Sequence, residues 1–93
     1  MFGFLNSRQD TTATDDVLAR LQRRLPHLLS EATHDTRLDQ LPLDSMDVVE
    51  LLCATEDEFG VSLTTEAYTR ARTVRDLLRV IARGSRRAGH ALR

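Results

Sequence analysis

The stretch DSMDVVELLCATEDEFG, residues 44–60, constrains the fold more than any other part of the chain. At about 100° per residue, Val48, Leu51, Leu52, Thr55 and Phe59 fall within one arc, which requires a helix with one buried face. Both ends are marked. Asp44 is suited to the N-cap position, Asp47 supplies the acid of a capping-box-like arrangement, and Gly60 is a natural left-handed C-terminal residue. A helix over Ser45–Phe59 is therefore predicted. Asp47, Glu50 and Asp57 lie on the opposite arc. Met46, Val49, Cys53 and Glu56 form a third side, an apolar strip bordered by acids. One reading is a solvated face with incidental hydrophobes. The other is a docking helix with an apolar centre and a charged rim, steered toward basic partners.

The remaining pattern is also helical. A first helix is expected from TDDVLARL, with Thr14 as its cap, Asp15 and Asp16 in its first turn, and a stripe of Val17, Leu18, Leu21, Leu25 and Leu28. Pro26 predicts a kink or stop near Arg24–Leu25, with Leu28 and Leu29 continuing a distorted last turn. Residues 30–43 read as a long polar connection tacked to the core by Leu38, Leu41 and Leu43, in which Pro42 keeps Leu41 extended before the next helix. VSLTTEAYTRA gives a loop and a short helical turn capped by Thr64 or Thr65. Thr73 caps a last helix whose Val74, Leu77, Leu78 and Ile81 repeat at helical spacing. The expected architecture is an all-α small four-helix bundle with three main helices, one short helix and a long first loop. The expected boundaries are a flexible N-terminal tail over 1–13, a helical domain over 14–83 and a frayed basic tail over 84–93.

Ninety-three residues suit one domain, and 29% charged with 4% aromatic residues suits a bundle of short helices. The net charge of −1 conceals a polarised molecule. Residues 1–43 carry six acids and five bases, residues 44–60 six acids and no base, and residues 61–93 two acids and eight arginines. Cys53 is the single cysteine, so an internal disulfide is excluded. MFGFL is too short for a signal peptide or membrane span and has no basic residues before it. The expectation is a cytoplasmic protein without stable membrane anchoring or a nucleic-acid partner.

Asp44-Ser45 raises a separate question, because a helix cap and an attachment site look alike over three residues. As a cap, Asp44 leaves Ser45 an ordinary first-turn residue. As chemistry, Ser45 is an exposed hydroxyl at the positive end of a helix, where a phosphate ester is electrostatically favoured. His27, His34 and His90 lie in unrelated stretches, and Asp44 alone is a poor base for a hydroxyl. A Ser-His-Asp hydrolase is therefore disfavoured, and any reaction at Ser45 needs activation by another protein. The sequence offers no catalytic set, metal cluster or phosphate loop.

LPLDSMDVVELLCATEDEFGVSLTTEAYTRARTVRDLLRVI, residues 41–81, resembles the acyl carrier protein family. The likeness covers the Asp-Ser-Met attachment motif, the acidic second helix closing on Glu58-Phe59, the short third helix and the Thr73-Val74 start of the fourth. Residues 15–29 fit the family's first helix loosely. The resemblance implies that Ser45 receives 4'-phosphopantetheine from coenzyme A through a magnesium-dependent phosphopantetheinyl transferase, and that the attached thiol carries acyl groups as thioesters. It implies that Asp44 supports the modification. It also implies that Asp47, Glu50, Glu56 and Asp57 meet basic residues of partner enzymes while Met46, Val49 and Cys53 fill the apolar centre of the docking surface. The implied partners are the transferase, an acyl-loading ligase or acyltransferase, and a ketosynthase or other acyl-processing enzyme. The resemblance also implies a monomer that acts as a carrier and not as an enzyme.

The chain departs from the family pattern at several points. Pro42-Leu43 stands where Gly-Ala or Gly-Leu is usual, Thr55 where a large aliphatic residue lines the acyl cavity, Ala71 where the family is larger, and Tyr68 where it is smaller. With the C-terminal arginines, these departures suggest a specialised carrier in fatty-acid, polyketide or related biosynthesis. The alternatives are a D-alanyl or other aminoacyl or peptidyl carrier, and a helical adaptor that binds basic partners without a prosthetic group. The peptidyl class usually places His or Asn before the serine, and the acid-rich second helix favours an acyl over a D-alanyl cargo.

Overall fold

The computed structural model describes the backbone of residues 2–87 and the side chains of residues 13–85. Helix α1 spans Phe2–Arg24, α2 Pro26–Leu29, α3 Ser45–Phe59, α4 Thr65–Arg70 and α5 Val74–Arg87, with a 3-10 turn over Leu38–Gln40. No strand occurs among the described residues. The expected all-α bundle is present, with its first helix divided in two at Pro26.

The division follows from proline chemistry. Leu25 leaves helical space at φ −127° and ψ 58°, and Pro26 restarts the helix at its first position, where a missing N–H costs nothing. Leu25 N still donates to Leu21 O at 2.8 Å, so the chain bends without losing its core contact. Gln22 Nε2 then donates to Leu29 O at 3.0 Å and Ala32 O at 3.1 Å, satisfying carbonyls that the short α2 cannot. Within α2, Leu29 takes the buried position and Leu28 is only half-buried.

The start of α1 corrects the sequence reading. The helix begins at Phe2, so residues 2–13, expected as a loose tail, have helical backbone, and Thr14 lies inside the helix instead of capping it. Residues 4–13 contain no glycine or proline to stop the helix from extending toward the N-terminus. Thr14 is 3% exposed and its hydroxyl lies 3.3 Å from His34 Nε2, so its polar group is satisfied by the connection after α2. The other end is corrected as well. Helix α5 continues through Gly84 to Arg87, past the expected start of the C-terminal tail, and residues 88–93 lie outside the described residues.

The long connection is clipped down as its leucines implied. Leu38 is buried, and Leu41 and Leu43 pack half-buried against the core. Leu38 N donates to Arg72 O at 2.9 Å, Val74 N to Thr36 O at 2.8 Å and Arg75 N to His34 O at 2.9 Å. Arg37 and Thr73 thereby form an isolated antiparallel bridge. Thr64 caps α4 by accepting from Ala67 N at 3.0 Å. At the start of α5, Thr73 Oγ1 accepts from Asp76 N while Asp76 Oδ2 accepts from the N–H groups of Arg72 and Thr73. The core between α1, α3 and α5 centres on Leu21, Leu51, Leu78 and Ile81.

Candidate functional site

Helix α3 has the expected bounds and caps. Asp44 adopts an extended conformation, φ −89° and ψ −177°, and its Oδ1 accepts from Asp47 N at 2.8 Å. Asp47 Oδ2 accepts in return from Asp44 N at 3.1 Å, completing the capping box. Gly60 closes the helix at φ 69°, a left-handed conformation that costs glycine little.

This frame positions Ser45 as the first residue of α3, exposed to solvent. No hydrogen bond engages its hydroxyl among the described residues. His27 and His34 are both engaged elsewhere, His27 beside Glu50 and His34 beside Asp15 and Thr14. His90 lies outside the described residues. Ser45 is thus an accessible hydroxyl at the positive end of a fifteen-residue helix, with no histidine beside it among the described residues. The position fits a phosphodiester, whose charge the first-turn N–H groups and the helix dipole favour.

On the face next to Ser45, Met46 is 73% and Val49 50% exposed, and Cys53 and Glu56 are exposed beside them. The strip anticipated from the helical wheel is therefore open to solvent. The buried face differs in detail: Leu51, Ala54, Thr55 and Phe59 are buried, while Val48 and Leu52 are half-buried. Ala54 takes a place that the sequence reading left unassigned. Thr55 is fully buried and its Oγ1 donates to Leu51 O at 2.9 Å, so the helix itself satisfies the one polar group in this part of the core. Burial raises the pKa of the half-buried Tyr68, which packs beside the core.

The acids of α3 are not equally free. Arg24, at the end of α1, places Nη2 2.5 Å from Asp57 Oδ2 and Nη1 3.3 Å from Glu58 Oε1. The Asp57 hydrogen bond is the main cause holding the Arg24 guanidinium above its ordinary pKa. His27 Nε2 lies 3.3 Å from Glu50 Oε2. Asp47 is half-buried and committed to the capping box. Glu56, on the side of α3 that carries Met46, Val49 and Cys53, stays exposed without a side-chain partner among the described residues. The segment lacks bases of its own, and α1 and α2 supply them. Sequence spacing gave no signal of these pairs, because Arg24 and Asp57 are far apart along the chain.

No group of residues suited to a metal ion occurs among the described residues, and no described helix is long and apolar enough to cross a membrane. Residues 15–81 match the family model described as "Phosphopantetheine attachment site". The chain is 33% identical over 66 residues to proteins described as "Acyl carrier protein" from Rickettsia massiliae, Rickettsia africae and Rickettsia felis, covering 70% of this chain and 77% of each relative. No solved structure matches it. Membership of this family implies a covalently attached 4'-phosphopantetheine and a carrier instead of an enzyme. With the attachment-site match spanning the helical core and the relatives aligned over most of its length, the chain belongs to the acyl carrier protein family.

Proposed function

We propose that Ser45 is the attachment point and that residues 14–83 form a carrier domain delivering acyl groups in fatty-acid, polyketide or related specialised biosynthesis. The single observation that supports this most strongly is an exposed, unengaged hydroxyl on the first residue of α3, held in place by the Asp44–Asp47 capping box. The attached arm contributes a thiol that carries the acyl group as a thioester. The chain's own residues do the presenting. Asp44 and Asp47 fix the turn, the first-turn N–H groups favour the phosphodiester, and Met46, Val49 and Cys53 offer a partner an apolar centre beside the tether. Glu56 is the free acid on the rim, with Glu50 and Asp57 reachable once a partner's cation replaces His27 or Arg24. The proposed partners are a phosphopantetheinyl transferase, a loading ligase or acyltransferase, and acyl-processing enzymes with basic surfaces. The proposed setting is a cytoplasmic monomer.

The test is intact-mass measurement after incubation with coenzyme A, magnesium and a broad-specificity phosphopantetheinyl transferase. The wild type is expected to gain one phosphopantetheinyl group and Ser45→Ala none. A wild type that stays unmodified while a control carrier is converted rejects the assignment.

A further inference from the structure

The chain ends in a segment with one sign of charge. Residues 77–93 carry five arginines and no acid. Arg75, Arg79, Arg83 and Arg87 recur at every fourth position, which on a helix makes a single row about 18 Å long. Arg79 and Arg83 are exposed, while Leu77, Leu78, Ile81 and Ala82 of the same helix are buried in the core. Two acids adjoin the row, and both are engaged. Asp35 pairs with Arg75 at 2.6 Å, and Asp76 accepts from the main-chain N–H groups of Arg72 and Thr73. Val80 is 41% exposed next to Arg79. A helix face that is merely solvated usually mixes both signs.

The make-up of this face selects among anionic partners. No Phe, Tyr or Trp follows Tyr68, so α5 lacks the stacking platform on which single-stranded nucleic acids rest. Val80 alone is too small an apolar centre for a specific protein interface, which buries about 1,200–2,000 Å² around a packed core. A fluid anionic lipid surface demands neither. Arginines along an amphipathic helix meet its headgroups through charge, and their aliphatic stems, with Val80, suit the apolar boundary beneath. The other face of α5 is committed to the core, so the contact stays at the headgroups and the helix does not insert.

We propose that the exposed face of α5 docks reversibly on a membrane surface rich in anionic phospholipid. The polarised charge of the chain sets the orientation. Residues 44–60, with six acids and no base, are repelled by the surface that attracts α5, which turns α3 toward water. A carrier held this way keeps its acidic helix open to soluble enzymes. The contact needs neither Ser45 nor a prosthetic group, so its test stands apart from the carrier assignment.

Co-sedimentation of the full chain with lipid vesicles tests the docking. Vesicles of equal parts phosphatidylglycerol and phosphatidylcholine are expected to retain the protein at low salt. Release is expected at about 1 M salt, where charges are screened beyond about 3 Å. Phosphatidylcholine alone is expected to retain none. Arg83→Gln should weaken partitioning about fivefold, the usual effect of one basic residue near an anionic surface. Arg24→Gln removes the same charge beside α3 and is expected to leave partitioning unchanged. Both arginines are exposed, so the fold survives either change. Equal losses in the two variants, retention on phosphatidylcholine alone, or no retention on the anionic vesicles overturns the docking face. Tighter binding to a polyuridine oligonucleotide than to the anionic vesicles overturns the lipid assignment and gives the face to nucleic acid.

Discussion

Arg24 and Asp57 meet at 2.5 Å across the gap between the end of α1 and the last turns of α3, and the same guanidinium reaches Glu58 at 3.3 Å. The contact joins the basic end of one helix to the acidic surface of another. It also occupies carboxylates on the proposed docking surface. On that proposal, a partner's arginine would compete with an internal one, already positioned, for Asp57.

Arg24→Gln is therefore expected to speed association with a basic partner, such as a phosphopantetheinyl transferase, at low ionic strength. The gain should shrink as salt is added, because exposed charges are screened beyond about 10 Å at 0.1 M. Stopped-flow association rates across a salt series check this. Equal rates for the two proteins at low salt would mean that Asp57 and Glu58 lie outside the partner's footprint. Thermal stability should change little, since Arg24 pairs at an exposed surface.

Asp44 combines a cap with a charge, and two substitutions separate them. Asp44→Ala removes the acceptor for Asp47 N and is expected to cost about 1 kcal/mol, within the usual 0.5–2 for lost N-caps. Asp44→Asn keeps an acceptor of similar capping strength and should leave the urea midpoint almost unchanged. Modification rates measured on both variants then assign the role. A rate lost equally in both points to the carboxylate charge, and a rate lost only in Asp44→Ala points to the geometry of the turn that presents Ser45.

These elements also show what was legible in the sequence. Helix α3 could be bounded at both ends because Asp44, Asp47 and Gly60 act within a few residues of themselves, and local chemistry decides such ends. The stop before Pro26 was readable for the same reason. Thr14 misled because Thr-Asp-Asp is a good local start signal, whereas its hydroxyl is buried next to His34, a partner contributed by a distant loop. The Arg24–Asp57 pair was equally out of reach. Helical periodicity says which face is polar but not which neighbouring helix answers it. Ser45 was singled out by its tripeptide and the likeness around it and stands as the proposed attachment point, while its freedom from hydrogen bonds among the described residues is a property of the folded surroundings.

Asp76 governs how the start of α5 responds to acid. Its carboxylate accepts from Arg72 N and Thr73 N, and these bonds, Arg72 first, hold its pKa below the ordinary carboxylate value. A group depressed in the folded state contributes stability above its unfolded-state pKa and loses it as pH falls through the folded one. The wild type should therefore lose stability relative to Asp76→Asn as pH is lowered from 5 to about 2. Urea midpoints measured over that range check the sign. A constant difference between the two proteins would show that the caps hold without the charge.

Gly84 lies where α5 packs closely against Val61, in the segment after α3. A Cβ built there would lie 2.9 Å from Val61 Cγ1 and 3.1 Å from Cγ2, closer than carbon atoms pack. Val61 is 8% exposed and branched at Cβ, so it has little freedom to turn away. Alanine would improve helix propensity by up to about 1 kcal/mol at this position. Overpacking a tight contact costs about 1–3 kcal/mol, which makes Gly84→Ala neutral to destabilising, in contrast to an exposed helical glycine. Val61→Ala removes both clashing methyl groups and is destabilising on its own through the apolar surface it deletes. The double variant should then be more stable than the sum of the single changes allows, giving a coupling of at least about 0.5 kcal/mol in a chemical-denaturation cycle. Strict additivity would mean that Val61 and residue 84 do not touch in solution, and the path of α5 beyond Ile81 would have to be drawn differently.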